Sequence, residues 1–238
     1  MTPPNDAPLD SEAVRWSVPP AERAGRPLLV LLHGYGSDEN DLFGLVPYLP
    51  DAFVIASVRA PLAPPWPMMG NAWYAIDALG RADGPTRPEA PRDASAARGE
   101  GVGSVTAAAS AFIEWVDAAT DAPHVGLLGF SQGAAVSLQA MRLEPQLFAF
   151  AVNLSGYVSP GELPRDAELA ERRPPVFWGR GTRDEVIPAA LVEHSVEWLP
   201  AHVDLSGRVY PGLTHSVSED ELGDVRSFLA HRLDELSE

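Results

Sequence analysis

Apolar residues along this chain fall into two alternating patterns. The first is a set of short, unbroken runs: PLLVLLH at 27–33, AFVIASV at 52–58, HVGLLGF at 124–130, FAFAVNLSG at 148–156 and PPVFWGRG at 174–181. Runs of that length without polar alternation predict strands buried on both faces. AVRWSV at 13–18 and VDLSGRVYPG at 203–212 give weaker strand signals. The second pattern is helical spacing. Leu42, Leu45, Val46 and Leu49 fall on one face of a helix with Ser37 as candidate N-cap, and Asp38, Glu39 and Asp41 suit its positive end. Further helices are predicted from Ser104 to about Thr120, over QGAAVSLQAMRL, and over PAALVEHSVEWLP with Pro188 near the first position. A last one starts at Ser218, with Asp220 and Glu221 behind it.

Strands alternating with helices imply an α/β domain, a mostly parallel sheet covered by helices on both faces. A length of 238 residues suits one such domain, spanning 13–238. Residues 1–12 are polar and proline-containing, and read as a flexible N-terminus. Residues 60–101 break the alternation: APLAPPWPMMG is interrupted by prolines, and the stretch from Arg81 to Gly99 has few apolar side chains. Such a segment is either a lid insertion or a surface excursion. Between its two halves sits an aromatic island, NAWYAID.

Composition narrows the chemistry. All 17 basic residues are arginine, against 33 acidic ones, for a net charge of −16. Without lysine there is no Schiff-base nucleophile and no P-loop. Without basic clusters, neither nucleic acid nor an anionic membrane is an expected partner. Cysteine is absent, which removes disulfides, thiolate metal sites and a thiol nucleophile. The start MTPPNDAPLD has neither the basic nor the apolar region of a secretory signal, and no run is long enough to cross a bilayer. A soluble, cytoplasmic protein without stable membrane insertion is expected. The sequence leaves the oligomeric state open, a homodimer included.

One stretch stands out against this background: GFSQGAA, directly after VGLL and before an alanine-rich helix. Gly129 and Gly133 could mark an ordinary strand-to-helix turn. Alternatively, G-x-S-x-G is the nucleophile elbow, in which a serine is held strained and exposed between a strand and a helix. The flanking predictions supply that strand and helix, at the carboxyl end of a central strand where ligands bind in such sheets.

A serine hydroxyl needs a base, and the base an orienting carboxylate, in the order Ser, Asp or Glu, His. Four histidines follow Ser131. His194 and His231 lie in helices and read as solvated, and His202 falls at the opposite end of the sheet. His215, in PGLTHSVS after the last strand, has the right address. For the carboxylate, Asp184 in GTRDEVIP follows the strand PPVFWGRG; Glu185 is the neighbouring alternative, and Asp184 could instead cap the next helix. Two oxyanion donors are expected, the backbone N–H groups of Gln132 and of Tyr35 in HGYG. His33 is expected to pack and hold that loop.

HGYGSDENDL, AWYAID, GFSQGAA, GTRDEVIP and YPGLTHSVSEDEL together resemble the phospholipase/carboxylesterase family of α/β-hydrolases, which includes acyl-protein thioesterases and small bacterial carboxylesterases. The similarity runs from about Pro27 to the end. It implies the α/β-hydrolase fold, Ser131 as nucleophile, Asp184 as orienting acid, His215 as base, and Tyr35 and Gln132 as oxyanion donors. It also implies that Trp73 lines an acyl pocket.

The activity expected is cleavage of esters or thioesters of short to medium acyl chains, without cofactor or metal, through an acyl-enzyme. Met68, Met69, Trp73, Tyr74 and Ile76 would form the acyl wall, or else a satellite core under a loop. An amidase or peptidase with the same triad is an alternative, as is a noncatalytic binding module on the same fold. The SDEND carboxylates match a helix start better than a metal site.

Overall fold

The computed structural model describes residues 8–65, 67–76 and 94–237. Seven strands, β1 (Val14–Trp16), β2 (Leu28–Leu32), β3 (Val54–Val58), β4 (Val125–Phe130), β5 (Phe148–Leu154), β6 (Pro175–Gly181) and β7 (Asp204–Tyr210), form one sheet. Their order is β1-β3-β2-β4-β5-β6-β7, so β4 is the middle strand. All pairs are parallel except β1 with β3. Among the described residues five α-helices accompany the sheet: α1 (Ala94–Ala119), α2 (Gln132–Leu143), α3 (Asp166–Arg172), α4 (Ala189–His202) and α5 (Glu219–Leu236). Among the described residues no helix is long and apolar enough to cross a membrane.

The unbroken apolar runs have a direct structural cause. Side chains alternate across a strand, and in β2 both sides are buried. Leu28, Val30 and Leu32 join a core with Phe112, Trp115 and Val136 of α1 and α2, while Leu29 and Leu31 join a second core with Val225 and Leu229 of α5. On α1 the buried positions Val105, Ala108, Ala109, Phe112, Trp115 and Val116 recur at three- and four-residue intervals, the stripe expected of a helix lying on a sheet.

The structure adds local detail to these elements. The segment after the HGYG loop is a 3-10 helix, Leu42–Tyr48, with Asp41 rather than Ser37 at the N-cap position and no side-chain capping bond there; Pro47 lies inside it and lacks the N–H that an α-helical ladder needs. Leu42 and Leu49 are nevertheless buried and Leu45 and Val46 pack against them, so the periodicity reported burial correctly. α1 begins at Ala94, ten residues before Ser104 and inside the expected 60–101 loop; residues 77–93 of that loop lie outside the described residues. Between β5 and β6 lies the short helix α3, where Asp166 is paired with the buried Arg142 through two hydrogen bonds of 2.8 Å. Of the N-terminal segment expected to be flexible, residues 1–7 lie outside the described residues. In the remainder Leu9 packs in the first core and the Asp10 carbonyl accepts from the Ala13 N–H.

Candidate active site

Gly129-Phe130-Ser131-Gln132-Gly133 carries the chain from the end of β4 into α2. Ser131 has φ 52° and ψ −114°, a backbone conformation costly for any residue with a side chain. Such strain is of order 1–3 kcal/mol and persists only where the surroundings enforce it. The two glycines are that enforcement. A Cβ on Gly129 would stand 2.5 Å from the Cα of Ala134, and one on Gly133 would overlap the Leu32 carbonyl oxygen at the end of β2. Only without those side chains can α2 start this close to the sheet and lift Ser131 above its rim.

Two further loops meet the serine. Asp184 follows β6, and His215 follows β7. His215 Nε2 lies 2.9 Å from Ser131 Oγ, and its Nδ1 lies 2.7 Å from Asp184 Oδ2. Asp184 Oδ1 accepts from the N–H groups of Val186 and Ile187, at 3.0 and 3.2 Å. The carboxylate thus stabilises the turn leading into α4 with one oxygen and faces the imidazole with the other. Orienting and turn-capping, posed as alternatives from sequence, coexist. Hydrogen bonds between 182–183 and 210–213 stitch the two loops together, and Phe130 packs on the imidazole with ring centroids 4.9 Å apart. Glu185, the neighbouring alternative, is exposed and lines the cavity described below.

The HGYG loop is held from three sides. His33 is fully buried; its Nε2 accepts from the Ala60 N–H at 3.0 Å, so its Nδ1 carries the proton donated to the Gly34 carbonyl at 2.7 Å. Burial lowers the pKa of this imidazole and keeps it neutral. Gly36, at φ 79°, donates to the Asn71 carbonyl, and the Asn71 N–H donates to Ser37 O. Glu39 is paired with Arg59. The Ser131 rim, the HGYG loop and residues 185–188 surround a cavity of about 640 Å³, lined among others by Tyr35, Tyr74, Ile76, Phe130, Gln132 and His215.

The five residues expected to form the acyl wall are separated. Tyr74 and Ile76 line the cavity. Trp73 does not: it is 1% exposed, edge-on to Phe112, and donates from Nε1 to the His33 carbonyl at 2.9 Å. It props up the HGYG loop from the core. Met68 and Met69 are 50% and 83% exposed and lie outside the cavity lining, where Met68 lies over Gly36. A proline-broken segment gives no periodicity from which inward and outward residues could be told apart.

Some site residues escaped the sequence reading. The Gln132 side chain is buried, accepts from the Trp73 N–H at 2.8 Å and donates to the Tyr74 carbonyl at 2.7 Å, tying the elbow to the aromatic island. Tyr157, Val186, Ile187 and Pro188 also line the cavity. The one available signal was their address, within a few residues of the carboxyl ends of β5 and β6. His194, read as solvated, is half-buried, and its Nε2 has no hydrogen-bond partner among the described residues.

This arrangement can activate a hydroxyl. Gln132 is the first residue of α2, and an N–H at that position has no carbonyl within the helix to bond. The positive end of the helix therefore faces the space beside Ser131 Oγ, where negative charge is stabilised.

Comparison with known proteins gives a consistent result. A family model described as Phospholipase/Carboxylesterase matches residues 15–233. Acyl-protein thioesterase 1 of Kluyveromyces lactis is 27% identical over 234 residues, covering 95% of this chain and 99% of the yeast protein. Among solved structures, a carboxylesterase from Mesorhizobium loti superposes with TM-score 0.66 at 23% identity, over 94% of this chain and 99% of that one. Acyl-protein thioesterase 2 of Zea mays superposes with TM-score 0.69 at 21% identity, over 92% and 98%. At these identities the two structures speak to the fold.

Proposed function

Because the chain belongs to the phospholipase/carboxylesterase family, we propose that it is a serine hydrolase that cleaves carboxylic esters or thioesters through an acyl-enzyme. The observation carrying this reading is the imidazole of His215, within 2.9 Å of Ser131 Oγ and 2.7 Å of Asp184 Oδ2. In the proposed reaction His215 Nε2 takes the hydroxyl proton as Ser131 Oγ attacks the acyl carbonyl. Asp184 holds the Nδ1–H and stabilises the imidazolium. The oxyanion of the tetrahedral intermediate accepts from the backbone N–H groups of Gln132 and Tyr35. The imidazolium returns its proton to the departing alcohol or thiol. Water, deprotonated by the same imidazole, then cleaves the acyl-enzyme and frees Ser131.

Tyr74 and Ile76, with Phe130, Val186, Ile187 and Pro188, bound the acyl group in this reading. A cavity of about 640 Å³ suits short to medium chains. The test is a chain-length panel of 4-nitrophenyl esters and matched thioesters, with Ser131→Ala as control. A peak at short or medium length is expected, with turnover reduced roughly 10⁴–10⁶-fold in the variant, as for other nucleophile deletions. Flat turnover from acetate to palmitate would remove the acyl-wall assignment. Undiminished hydrolysis by the variant would remove Ser131. Faster cleavage of a matched anilide would redirect the reading to amide bonds.

A further inference from the structure

The cavity wall contains one more feature with chemical content. Tyr74 and Tyr157 both line it, each 3% exposed, and their hydroxyl oxygens are 2.6 Å apart. Each phenol carries one hydrogen and can also accept. Only one hydrogen fits between two oxygens at that distance. The second must point elsewhere, and neither hydroxyl has another hydrogen-bond partner among the described residues. Deprotonation does not remove the mismatch, because burial raises both pKa values above the usual tyrosine range and both phenols stay neutral donors. One O–H of the pair is thus left without an acceptor among the described residues.

The surroundings make that donor selective. Phe130, Ile76, Val186, Ile187 and Pro188 supply apolar walls, and the backbone around the pair is fixed by Gln132 Nε2 donating to the Tyr74 carbonyl. We infer that the cavity is built for an acyl group bearing an oxygen acceptor along its chain, such as an oxo-acyl ester, received by the free hydroxyl of the Tyr74–Tyr157 pair. This inference rests on the serine-hydrolase reading above and specifies its substrate class. A site that holds a lone donor in apolar surroundings favours a ligand that brings the acceptor over an analogue that lacks it.

The test compares 4-nitrophenyl hexanoate with its 4-oxo and 5-oxo analogues, each rate divided by its spontaneous hydrolysis. In the wild type at least one oxo ester is expected to show a kcat/KM advantage of about 3–10-fold, the range for one neutral hydrogen bond. In the double variant Tyr74→Phe/Tyr157→Phe the advantage should fall to within about twofold. A wild-type ratio near one at both positions overturns the inference, as does an advantage that survives in the double variant. Calorimetric binding of the N-methyl amides of the same acids to Ser131→Ala gives the same comparison without turnover. If no ester is hydrolysed, the proposed reaction fails, and the amide affinities still decide the inference. Stronger binding of an oxo amide supports it, and equal binding refutes it.

Discussion

Glu221 offers a quantitative test of the packing around the His215 loop. It lies in the first turn of α5, fully buried, with its N–H donating to Ser218 Oγ at 3.2 Å. Ser218 and Glu221 have the spacing of a capping box, in which the glutamate reaches back to the N-cap N–H. Here the carboxyl lies over Gly179 of β6, whose missing side chain makes room for it, and neither oxygen has an aligned hydrogen bond among the described residues. Burial pushes this carboxyl up to about 7; the Ser218 N–H moderates the effect, and Asp224 adds to it. The unfolded chain ionises near 4.5. Below that pH the group is protonated in both states and contributes no pH dependence. As pH rises from 4.5 towards 7 the folded state holds a proton that the unfolded state has released, so stability falls. At about 1.4 kcal/mol per unit, the full penalty is roughly 3 kcal/mol, and most of it develops between pH 5 and pH 8. Glu221→Gln keeps the shape and cannot ionise. Urea unfolding followed by tryptophan fluorescence, on wild type and variant at pH 5, 6.5 and 8, gives the comparison. The variant should gain roughly 2–3 kcal/mol on the wild type across that range. A gap that stays constant within about 0.5 kcal/mol would show that the carboxyl is solvated or paired, and the reasoning would fail.

Ser131→Gly should abolish turnover yet raise unfolding free energy by about 1 kcal/mol or more, since only glycine adopts φ 52° without strain; a destabilised variant would contradict the strained elbow. Gly133→Ala sets a Cβ against the Leu32 carbonyl, and a loss of about 2 kcal/mol or more is expected in denaturant melts, with fluorophosphonate labelling of Ser131 slowed. Trp73→Phe leaves the buried His33 carbonyl without its 2.9 Å donor; about 1–3 kcal/mol of stability should go, with a fall in kcat as the HGYG loop loosens. Arg142→Ala strands the Asp166 carboxylate, partnered now at 2.8 Å; about 3–5 kcal/mol is expected by chemical denaturation, with kcat of the folded fraction little changed.

Sequence alone determined the elements whose burial repeats at a fixed period. β2 and β4 were legible because a strand buried on both faces leaves no polar position, and α5 because one helical face is turned to the core. The Ser131, Asp184 and His215 positions were legible for a related reason: parallel strands place every strand-end loop on one rim, so order along the chain becomes proximity in space. Tertiary structure alone decided what those patterns do not encode. Trp73 and Tyr74 are adjacent aromatic residues, yet one props up a loop from the core and the other lines the cavity, because core and cavity wall both recruit apolar side chains. The Gln132 contacts to residues 73 and 74, the Arg142–Asp166 pair and the two facing tyrosines join positions 24 to 83 residues apart. A hydrogen bond between side chains has no periodicity along the chain, since its partners are selected by packing and geometry in three dimensions.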